Sequence, residues 1–277
     1  VPRAWERRNV LRGGAGYSPW DIVGKATGQP VWRLLGGFRD RVPVYADGIG
    51  YSPQDSETVA SLVKKHADMG FGAVKFHLDS GDTDEALEKV RVSREAIGDD
   101  VKLMIDTHRV WHGTVAAEMA RKFEPYNLYW IEEPLSPDNL IGYEQLVREI
   151  HSTKIASGEH EYTRFGFAEL IRHNAVDILQ PDVSWCGGVT SLKKVAAMAA
   201  EHELEFTPHR GGSLYGLPLC LSSTRCNWAE SFGTNDSGTE LMEAMTAPFE
   251  DGYYLPSDKA GFGTELTEQL VKAHALT

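Results

Sequence analysis

Three short segments decide the fold, and each of them begins as an apolar run: Leu103–His108 (LMIDTH), Tyr129–Pro134 (YWIEEP) and Ile155–His160 (IASGEH). An apolar run of about four to eight residues that is closed by a turn signal is typical of a buried strand. Strands of a parallel sheet covered on both faces look like this, because neither face meets water. Each run stops at an acid, so the sequence predicts Asp106, Glu132 and Glu159 at the carboxyl ends of three strands.

The spacing of these acids indicates a repeated strand-and-helix unit. The acids are 26 and 27 residues apart, and one such unit of a barrel takes roughly 30 residues. The pattern continues past Glu159, because further apolar runs end at Asp182, His209 and Glu230, at intervals of 23, 27 and 21 residues. We therefore predict an α/β fold, a (β/α)8-type TIM barrel, with these residues on the face where barrels carry their active sites.

The segments before and between these runs fit the same alternation. Val42–Ala46 and Ala73–Leu78 are apolar runs that we interpret as the first two strands. Glu57–Met69 follows the first strand and has an amphipathic helical pattern that ends at Gly70. Asp84–Ile97 follows the second strand and is predicted to be helical as well. Connections of this length favour parallel pairing of the strands that they join.

Three acids at one edge of a barrel indicate a bound cation. Neighbouring carboxylates repel one another and cost free energy unless a cation lies between them. Oxygen ligands without cysteine favour Mg²⁺, so the sequence predicts one Mg²⁺ per site, bound by Asp106, Glu132 and Glu159. The alternative is that each acid caps a helix or forms an ion pair at its own turn. That alternative explains any one of the acids more easily than all three.

Length, charge and cysteine content limit the function classes. The chain has 277 residues, a net charge of −12 and a pI near 5.3, which suits one barrel domain and opposes nucleic acid or an anionic membrane surface as a partner. An anionic substrate is still compatible, because a bound cation inverts the local field. The three cysteines have no CxxC spacing and no apolar run is long enough to cross a membrane. A reduced, cytoplasmic setting is therefore predicted.

Five motifs together point to a family: Trp20–Ala26, Ile131–Pro134, Ser157–His160, Gln180–Asp182 and Cys186–Thr190. The chain resembles the enolase superfamily, in its mandelate racemase-like subgroup. Within that subgroup it most resembles the acid-sugar (aldonate) dehydratases, such as the rhamnonate, galactonate, gluconate and mannonate dehydratases. The matching segments run from about Pro19 to Leu266, nearly the whole chain.

The resemblance implies a (β/α)7β barrel that follows an N-terminal α+β capping domain, and that domain is largely absent from this chain. Residues 1–40 are then a linker with the helices that lead into the barrel, residues 41–235 are the catalytic barrel, and residues 236–277 return towards the missing cap. A polar helix is predicted over Glu265–His274 within that last segment. The resemblance also implies a homo-oligomer, between a dimer and an octamer.

His209 and Asp182 end neighbouring predicted strands, so we expect them to meet. A carboxylate beside an imidazole fixes the tautomer of the ring and raises its basicity. In the family that the chain resembles, such a pair moves a substrate proton. A lone histidine before Arg-Gly-Gly is more often a loop residue, but the register of His209 with Asp182 favours the catalytic interpretation.

The second strand departs from the racemase pattern. The Lys-x-Lys motif of the family reads Lys75-Phe76-His77 here, so His77 stands where the second lysine usually acts as a base. We predict that Lys75 and His77 contact the substrate. The alternatives are that Lys75 balances the charge of the carboxylates and that His77 is a hydrogen-bonded residue beneath the metal site.

We predict functional roles for three more residues at the carboxyl ends of the strands. His108 lies two residues after Asp106, so both should point to one side of the strand, and an Asp-x-His at this point resembles the dehydratases in which the histidine protonates the departing hydroxyl. The resemblance assigns Glu230 to bind the substrate carboxylate in its protonated form, which burial near other acids allows. His160, close to Trp185, is predicted either to contact substrate or to pack.

The expected function is a Mg²⁺-dependent hydro-lyase. It would take the C2 proton of a small-molecule acid sugar and eliminate the 3-hydroxyl to give a 2-keto-3-deoxy acid. Two alternatives remain open: a racemase or epimerase of a 2-hydroxy acid that uses the same enediolate, and a non-catalytic barrel that binds sugar acids. A product that retains all the oxygens of the substrate would indicate racemisation.

Overall fold

The computed structural model describes residues 17–51, 54–231, 246–264, 267 and 272–273. Its strands in chain order are β1 (Val42–Ile49), β2 (Ala73–His77), β3 (Lys102–Asp106), β4 (Leu128–Glu132), β5 (Lys154–Ser157), β6 (Ile178–Leu179), β7 (Glu205–Phe206), β8 (Ala229–Ser231), β9 (Phe249–Glu250) and β10 (Tyr253–Tyr254). Its helices are α1 (17–27), α2 (Val31–Leu34), α3 (Ser56–Asp68), α4 (Thr83–Ile97), α5 (Gly113–Phe123), α6 (Leu140–Glu149), α7 (Arg164–Arg172), α8 (Val189–Glu201) and α9 (Leu217–Ser222). A short 3-10 helix covers Glu124–Tyr126.

The first eight strands are parallel and form the predicted barrel. Strands β1 to β7 pair in chain order, and β8 pairs with β1. Between β7 and β8, the N–H of Gly212, in the turn after β7, donates to the carbonyl oxygen of Glu230 in β8 at 2.9 Å. Helices α3 to α9 each follow one of the first seven strands, which is the (β/α)7β order. Both the TIM-barrel prediction and this order are confirmed.

Local sequence sets the helix boundaries. Asp55 precedes α3, and its side chain accepts the Thr58 N–H at 2.7 Å, which satisfies one of the unpaired donors at a helix start. Asp82 does the same for the start of α4. Gly98 ends α4 with a φ of 67°, a left-handed conformation that costs other residues more.

Side chains inside the barrel alternate along each strand, so they form layers. Six buried residues on β1 to β6 make an apolar floor: Tyr45, Ala73, Met104, Trp130, Ala156 and Ile178. Two positions further on, the inward residues are polar and also buried: Asp47, Lys75, Asp106, Glu132 and Gln180. This period of two is the alternation of a strand, and it places a charged layer directly above the apolar one.

Strands β5, β6 and β7 end earlier than the sequence suggests, whereas β3 and β4 do not. β3 and β4 end at Asp106 and Glu132 as predicted. Glu159, by contrast, lies two residues past the end of β5, after Gly158 with a φ of 132°. Asp182 and His209 each lie three residues past their strands. Turns rather than strands therefore deliver these three side chains, because the backbone leaves the ladder before reaching them.

Some predictions concern other parts of the chain. The boundary at residue 235 and most of the predicted helix Glu265–His274 lie outside the described residues.

β9 and β10 form an antiparallel hairpin, and β10 pairs with the start of β1. Within the part of the chain that the structure describes, no helix combines the length and the apolar character that a membrane span requires.

Arg94 ties together loops at the end of the barrel opposite the predicted site. Its guanidinium donates to the carbonyl oxygens of Gly98, Val101, Tyr126 and Asn127, at 2.7 to 3.0 Å. The residue is 8% exposed. Carbonyls at the end of α4 and before β3 and β4 would otherwise lack these partners, so Arg94 fixes how two strands enter the barrel.

Replacing Arg94 by methionine should lower the free energy of unfolding by about 3 kcal/mol, because the change keeps the aliphatic stem and leaves several carbonyls without a charged donor. Urea unfolding measures the difference. The control is Arg121→Met, which removes an exposed ion pair with Glu149 and should change stability by less than about 0.5 kcal/mol. Equal effects of the two variants would contradict the role given to Arg94.

Candidate active site

The structure brings the three predicted metal ligands together. Asp106 and Glu132 are direct partners in the parallel ladder between β3 and β4. One carboxylate oxygen from each of Asp106, Glu132 and Glu159 lies within 4.8 Å of the others. Glu132 is fully buried and Asp106 is 1% exposed. Three isolated helix caps would not converge in this way, so the geometry favours a shared cation.

The donor atoms of this group fit Mg²⁺. Oε1 of Glu132 is buried and has no hydrogen-bond partner among the described residues. Burial raises the pKa of Glu132 well above its usual value, and repulsion from Asp106 and Glu159 adds to the rise although Lys75 opposes it. An unpartnered carboxylate oxygen among like charges is the environment that a hard cation stabilises. Asp106, Glu132 and Glu159 would hold the ion.

Lys75 lies between three buried carboxylates. Its Nζ is 2.8 Å from Oε2 of Glu132, 3.0 Å from Oε1 of Glu230 and 3.7 Å from Oδ2 of Asp47. Burial alone would lower the pKa of Lys75, but the three carboxylates outweigh it and the net shift is well upward. This position supports the alternative in which Lys75 balances charge. Contact between Lys75 and substrate stays a prediction.

Asp47 is a site residue that the sequence reasoning missed. It lies within β1, is 2% exposed, and its Oδ1 accepts from Nε2 of His77 at 2.7 Å. The nearby charges of Lys75 and His77 hold the pKa of Asp47 well below its usual value despite the opposing effect of burial. The available signal was one acid inside an otherwise apolar strand, which usually has a buried partner.

His77 and His108 form a stacked pair beside Asp106. The two rings are 4.5 Å apart and inclined by 24°, and Nδ1 of His77 lies 3.1 Å from Nε2 of His108. Nδ1 of His108 contacts Oδ1 of Asp79, and its backbone N–H donates to Oδ1 of Asp106 at 2.8 Å. The backbone of His108 has a φ of 43°, so a turn, and not strand alternation, brings its ring to Asp106.

The predicted dyad is formed. Nδ1 of His209 is 2.6 Å from Oδ2 of Asp182, and Oδ1 of Asp182 accepts the N–H groups of Ser184 and Trp185 at 2.6 and 2.7 Å. The backbone therefore fixes the carboxylate, and the carboxylate fixes the ring. Nε2 of His209 is left facing the metal group, 3.4 Å from Oε2 of Glu159.

Neighbouring acids set the basicity of His209. Burial lowers its pKa, but Glu230, Asp182 and Glu159 together outweigh burial and raise it to about 10. A cation bound by the carboxylates would reduce this rise in the pKa of His209, because its positive charge opposes their negative charge. The pKa would then move towards the neutral range in which an imidazole serves as a general base.

Glu230 accepts several hydrogen bonds. Its Oε1 accepts from the Tyr45 hydroxyl at 2.7 Å and from Lys75 at 3.0 Å, and its Oε2 accepts from the backbone N–H of Arg210. Because β8 pairs with β1 and β1 with β2, barrel closure is what brings these residues together. The predicted contact of a protonated Glu230 with substrate is not tested by this geometry.

His160 is held by Glu133, an acid that lies just past the end of β4. Glu133 has a φ of 41°, so the alternation of a strand does not set the direction of its side chain. Its Oε1 is 2.8 Å from Nδ1 of His160. The His160 ring also packs edge-on against Trp185 at 5.8 Å, so it is oriented from two sides and 19% of its side chain is exposed.

Comparison with known proteins identifies the family. Residues 58–270 match the model of the family described as enolase C-terminal domain-like. The chain therefore belongs to this family of the enolase superfamily, as its motifs predicted.

Two relatives and one solved structure illustrate the similarity. The chain is 38% identical to 3,6-anhydro-alpha-L-galactonate cycloisomerase from Streptomyces coelicolor, over 89% of this chain and 67% of the relative. It is 32% identical to arabinonate dehydratase from Saccharolobus solfataricus, over 88% of this chain and 66% of the relative. L-Talarate dehydratase from Polaromonas sp. JS666, solved with Mg and L-glucarate, is similar at a TM-score of 0.82 and 31% identity, over 92% of this chain and 69% of that chain. The chain thus spans about two thirds of the length of these relatives.

Proposed function

We propose that this member of the enolase superfamily is a Mg²⁺-dependent dehydratase of an acid sugar, an aldonate. It removes the C2 proton alpha to the substrate carboxylate and eliminates the 3-hydroxyl, which gives a 2-keto-3-deoxy acid. The observation that carries the proposal is a pair of histidines on opposite sides of the cluster formed by Asp106, Glu132 and Glu159. His209 follows β7 and His108 follows β3, four strands away in a barrel of eight, and each contacts its own aspartate.

His209 is the proposed base. Its Nδ1 is held by Asp182, and its Nε2 lies 3.4 Å from Oε2 of Glu159, beside the carboxylates where the carbon acid would bind. A base held in one tautomer and orientation avoids the cost of ordering it in the transition state. Mg²⁺, when bound by Asp106, Glu132 and Glu159, supplies positive charge for the substrate carboxylate and for the negative charge that develops on it.

His108 is the proposed acid. As the C3–O bond breaks, His108 gives a proton to the departing oxygen, water leaves, and the resulting enol becomes the keto acid. The contact with Asp79 orients the ring, and the side chain is 25% exposed, so the ring can be protonated again from solvent. A poor leaving group needs this help, because hydroxide is otherwise expelled without a proton.

The direct test is a panel of aldonic acids, including arabinonate, gluconate, galactonate, mannonate and rhamnonate, incubated with the chain and Mg²⁺. We expect a 2-keto-3-deoxy acid from at least one of them. A product of the same mass as its substrate would instead support a racemase, an epimerase or a cycloisomerase, since one relative is a cycloisomerase. Formation of that product alone would contradict dehydration.

His108→Asn should slow dehydration by about 10²–10⁴-fold, because it removes the general acid. Exchange of the C2 proton with solvent should survive, since His209 and the metal carboxylates are unchanged. The measurement is product formation and C2 exchange side by side, for His108→Asn and for His77→Asn. Normal dehydration by His108→Asn would exclude it as the acid, and loss of both reactions in His77→Asn would move the second catalytic role to β2.

A further inference from the structure

Three ligand atoms beside the predicted Mg²⁺ group form a compact triangle. Nδ1 of His77 lies 3.1 Å from Nε2 of His108, and these two nitrogens lie 3.4 and 3.3 Å from Oδ2 of Asp106. The edges differ by only 0.3 Å. His77 is buried and His108 is partly exposed, so the triangle lies where the buried polar layer meets the solvent.

The outer nitrogen of each ring is already used. Nε2 of His77 faces Oδ1 of Asp47 at 2.7 Å, and Nδ1 of His108 faces Oδ1 of Asp79. Carboxylates accept hydrogen bonds, so both outer nitrogens carry the N–H. The two inner nitrogens then face each other and Oδ2 of Asp106, and a cation bound between them could contact all three atoms.

The size of the triangle fits a tetrahedral metal. Zn–N and Zn–O bonds of about 2.0–2.1 Å place tetrahedral ligand atoms about 3.3–3.4 Å apart. A single proton would join one pair of atoms and leave the third, whereas a metal ion satisfies all three. Two imidazoles and one carboxylate, with a fourth position open, are a donor set of zinc sites, and Mg²⁺ prefers oxygen alone.

The surroundings match those of metal-binding histidines. Such rings usually donate their second N–H to a carboxylate, which fixes the tautomer and aims the free nitrogen at the metal. Asp47 and Asp79 do this from β1 and from the loop after β2. The ring of Tyr51 stacks on His77, with centroids 3.9 Å apart, and so holds the imidazole plane from the solvent side.

We propose that His77, His108 and Asp106 form a second metal site, which prefers Zn²⁺ or a similar transition metal to Mg²⁺ and shares Asp106 with the Mg²⁺ group. This goes beyond the proposed dehydration and opposes it. A metal on Nε2 of His108 takes the lone pair that would otherwise carry the proton for the leaving hydroxyl. Zn²⁺ is therefore an inhibitor of the Mg²⁺-supported reaction.

Cobalt absorption tests the site without using activity. Protein that has been stripped of bound metal is placed in excess Mg²⁺ and titrated with Co²⁺. The visible absorption of Co²⁺ is strong in tetrahedral coordination and weak in octahedral coordination. We expect one strongly absorbing Co²⁺ per chain, displaced by Zn²⁺ and not by Mg²⁺. His77→Asn should abolish the band. Asp47→Asn and Asp79→Asn should each weaken binding by about 10–100-fold, as loss of such orienting carboxylates does.

The control is His66→Asn, because the ring of His66 contacts the carbonyl oxygen of Leu62 within α3 and should leave cobalt binding unchanged. Asp79 is 44% exposed, so Asp79→Asn gives a readout even if the change at buried Asp47 disturbs folding. A weak band that Mg²⁺ displaces, or a strong band unaffected by His77→Asn, would overturn the proposal. A wild-type chain that dehydrates an aldonate but gives no tetrahedral band overturns this site alone. One that gives the band but dehydrates no aldonate overturns the proposed function alone.

Discussion

His209→Asn is expected to lower turnover by about 10⁴-fold, at the upper end of what a general base contributes. Asparagine keeps a polar group near Asp182 but has no lone pair that can accept the substrate proton near neutral pH. Both dehydration and C2 exchange should fall together, because both need the same proton to leave. Product formation and exchange in solvent deuterium measure the two losses.

The control for that change is His202→Asn, an exposed position at the end of α8, which should behave as wild type. The melting temperature and the stabilisation by Mg²⁺ should be preserved in His209→Asn, since His209 contacts the metal group only at 3.4 Å. Substantial exchange by a folded His209→Asn protein would mean that another residue is the base.

Glu132→Gln is expected to lower turnover by about 10⁴-fold as well. The amide removes one of three anionic ligands, and the positive charge that a metal supplies in the transition state is worth several kcal/mol. The change also places an amide against Lys75 and Gln180, which both donate to Oε2 of Glu132 at 2.8 Å. Removing metal from the wild type with EDTA should have the same effect, and added Mg²⁺ should reverse it.

Thermal unfolding separates this loss from a general loss of structure. Mg²⁺ at a hundred times its dissociation constant should stabilise the wild type by about 2.7 kcal/mol and should not stabilise Glu132→Gln. The matched control is Glu205→Gln, which changes an acid paired with Lys154 and Tyr129 on β7. A Glu132→Gln protein that Mg²⁺ still stabilises as strongly as wild type would contradict the assignment.

The repeated part of the fold was predictable from sequence because buried strands appear as continuous apolar runs. The runs that end at Asp106 and Glu132 are apolar over their whole length, since both faces of β3 and β4 are covered. The spacing of these acids then follows from the length of one strand and one helix. Neighbouring strand ends meet, so the contact between His209 and Asp182 was predictable too.

The rest of the site depends on backbone turns after the strands and on closure of the barrel, and neither produces a recognisable sequence pattern. Strand alternation does not apply to Glu133, because β4 ends before it and the residue adopts a left-handed φ. The partners of Lys75 come from β1, β4 and β8, and only barrel closure makes them neighbours. Asp47 belongs to no motif, and although an acid in an apolar strand indicates a buried partner, only the structure identifies that partner as His77.

In the proposed reaction, catalysis begins with loss of the C2 proton to His209. Running the reaction in deuterium oxide, with Mg²⁺ and the aldonate that the panel selects, and analysing the product by mass spectrometry and NMR tests this step. The C2 hydrogen is lost to solvent and C3 receives a new one when the enol becomes the keto acid, so we predict one deuterium at C3 in each product molecule. A product without deuterium at C3 would mean that the C2 hydrogen moves to C3 without exchanging with solvent, which would rule out release of the C2 proton to an exchangeable base.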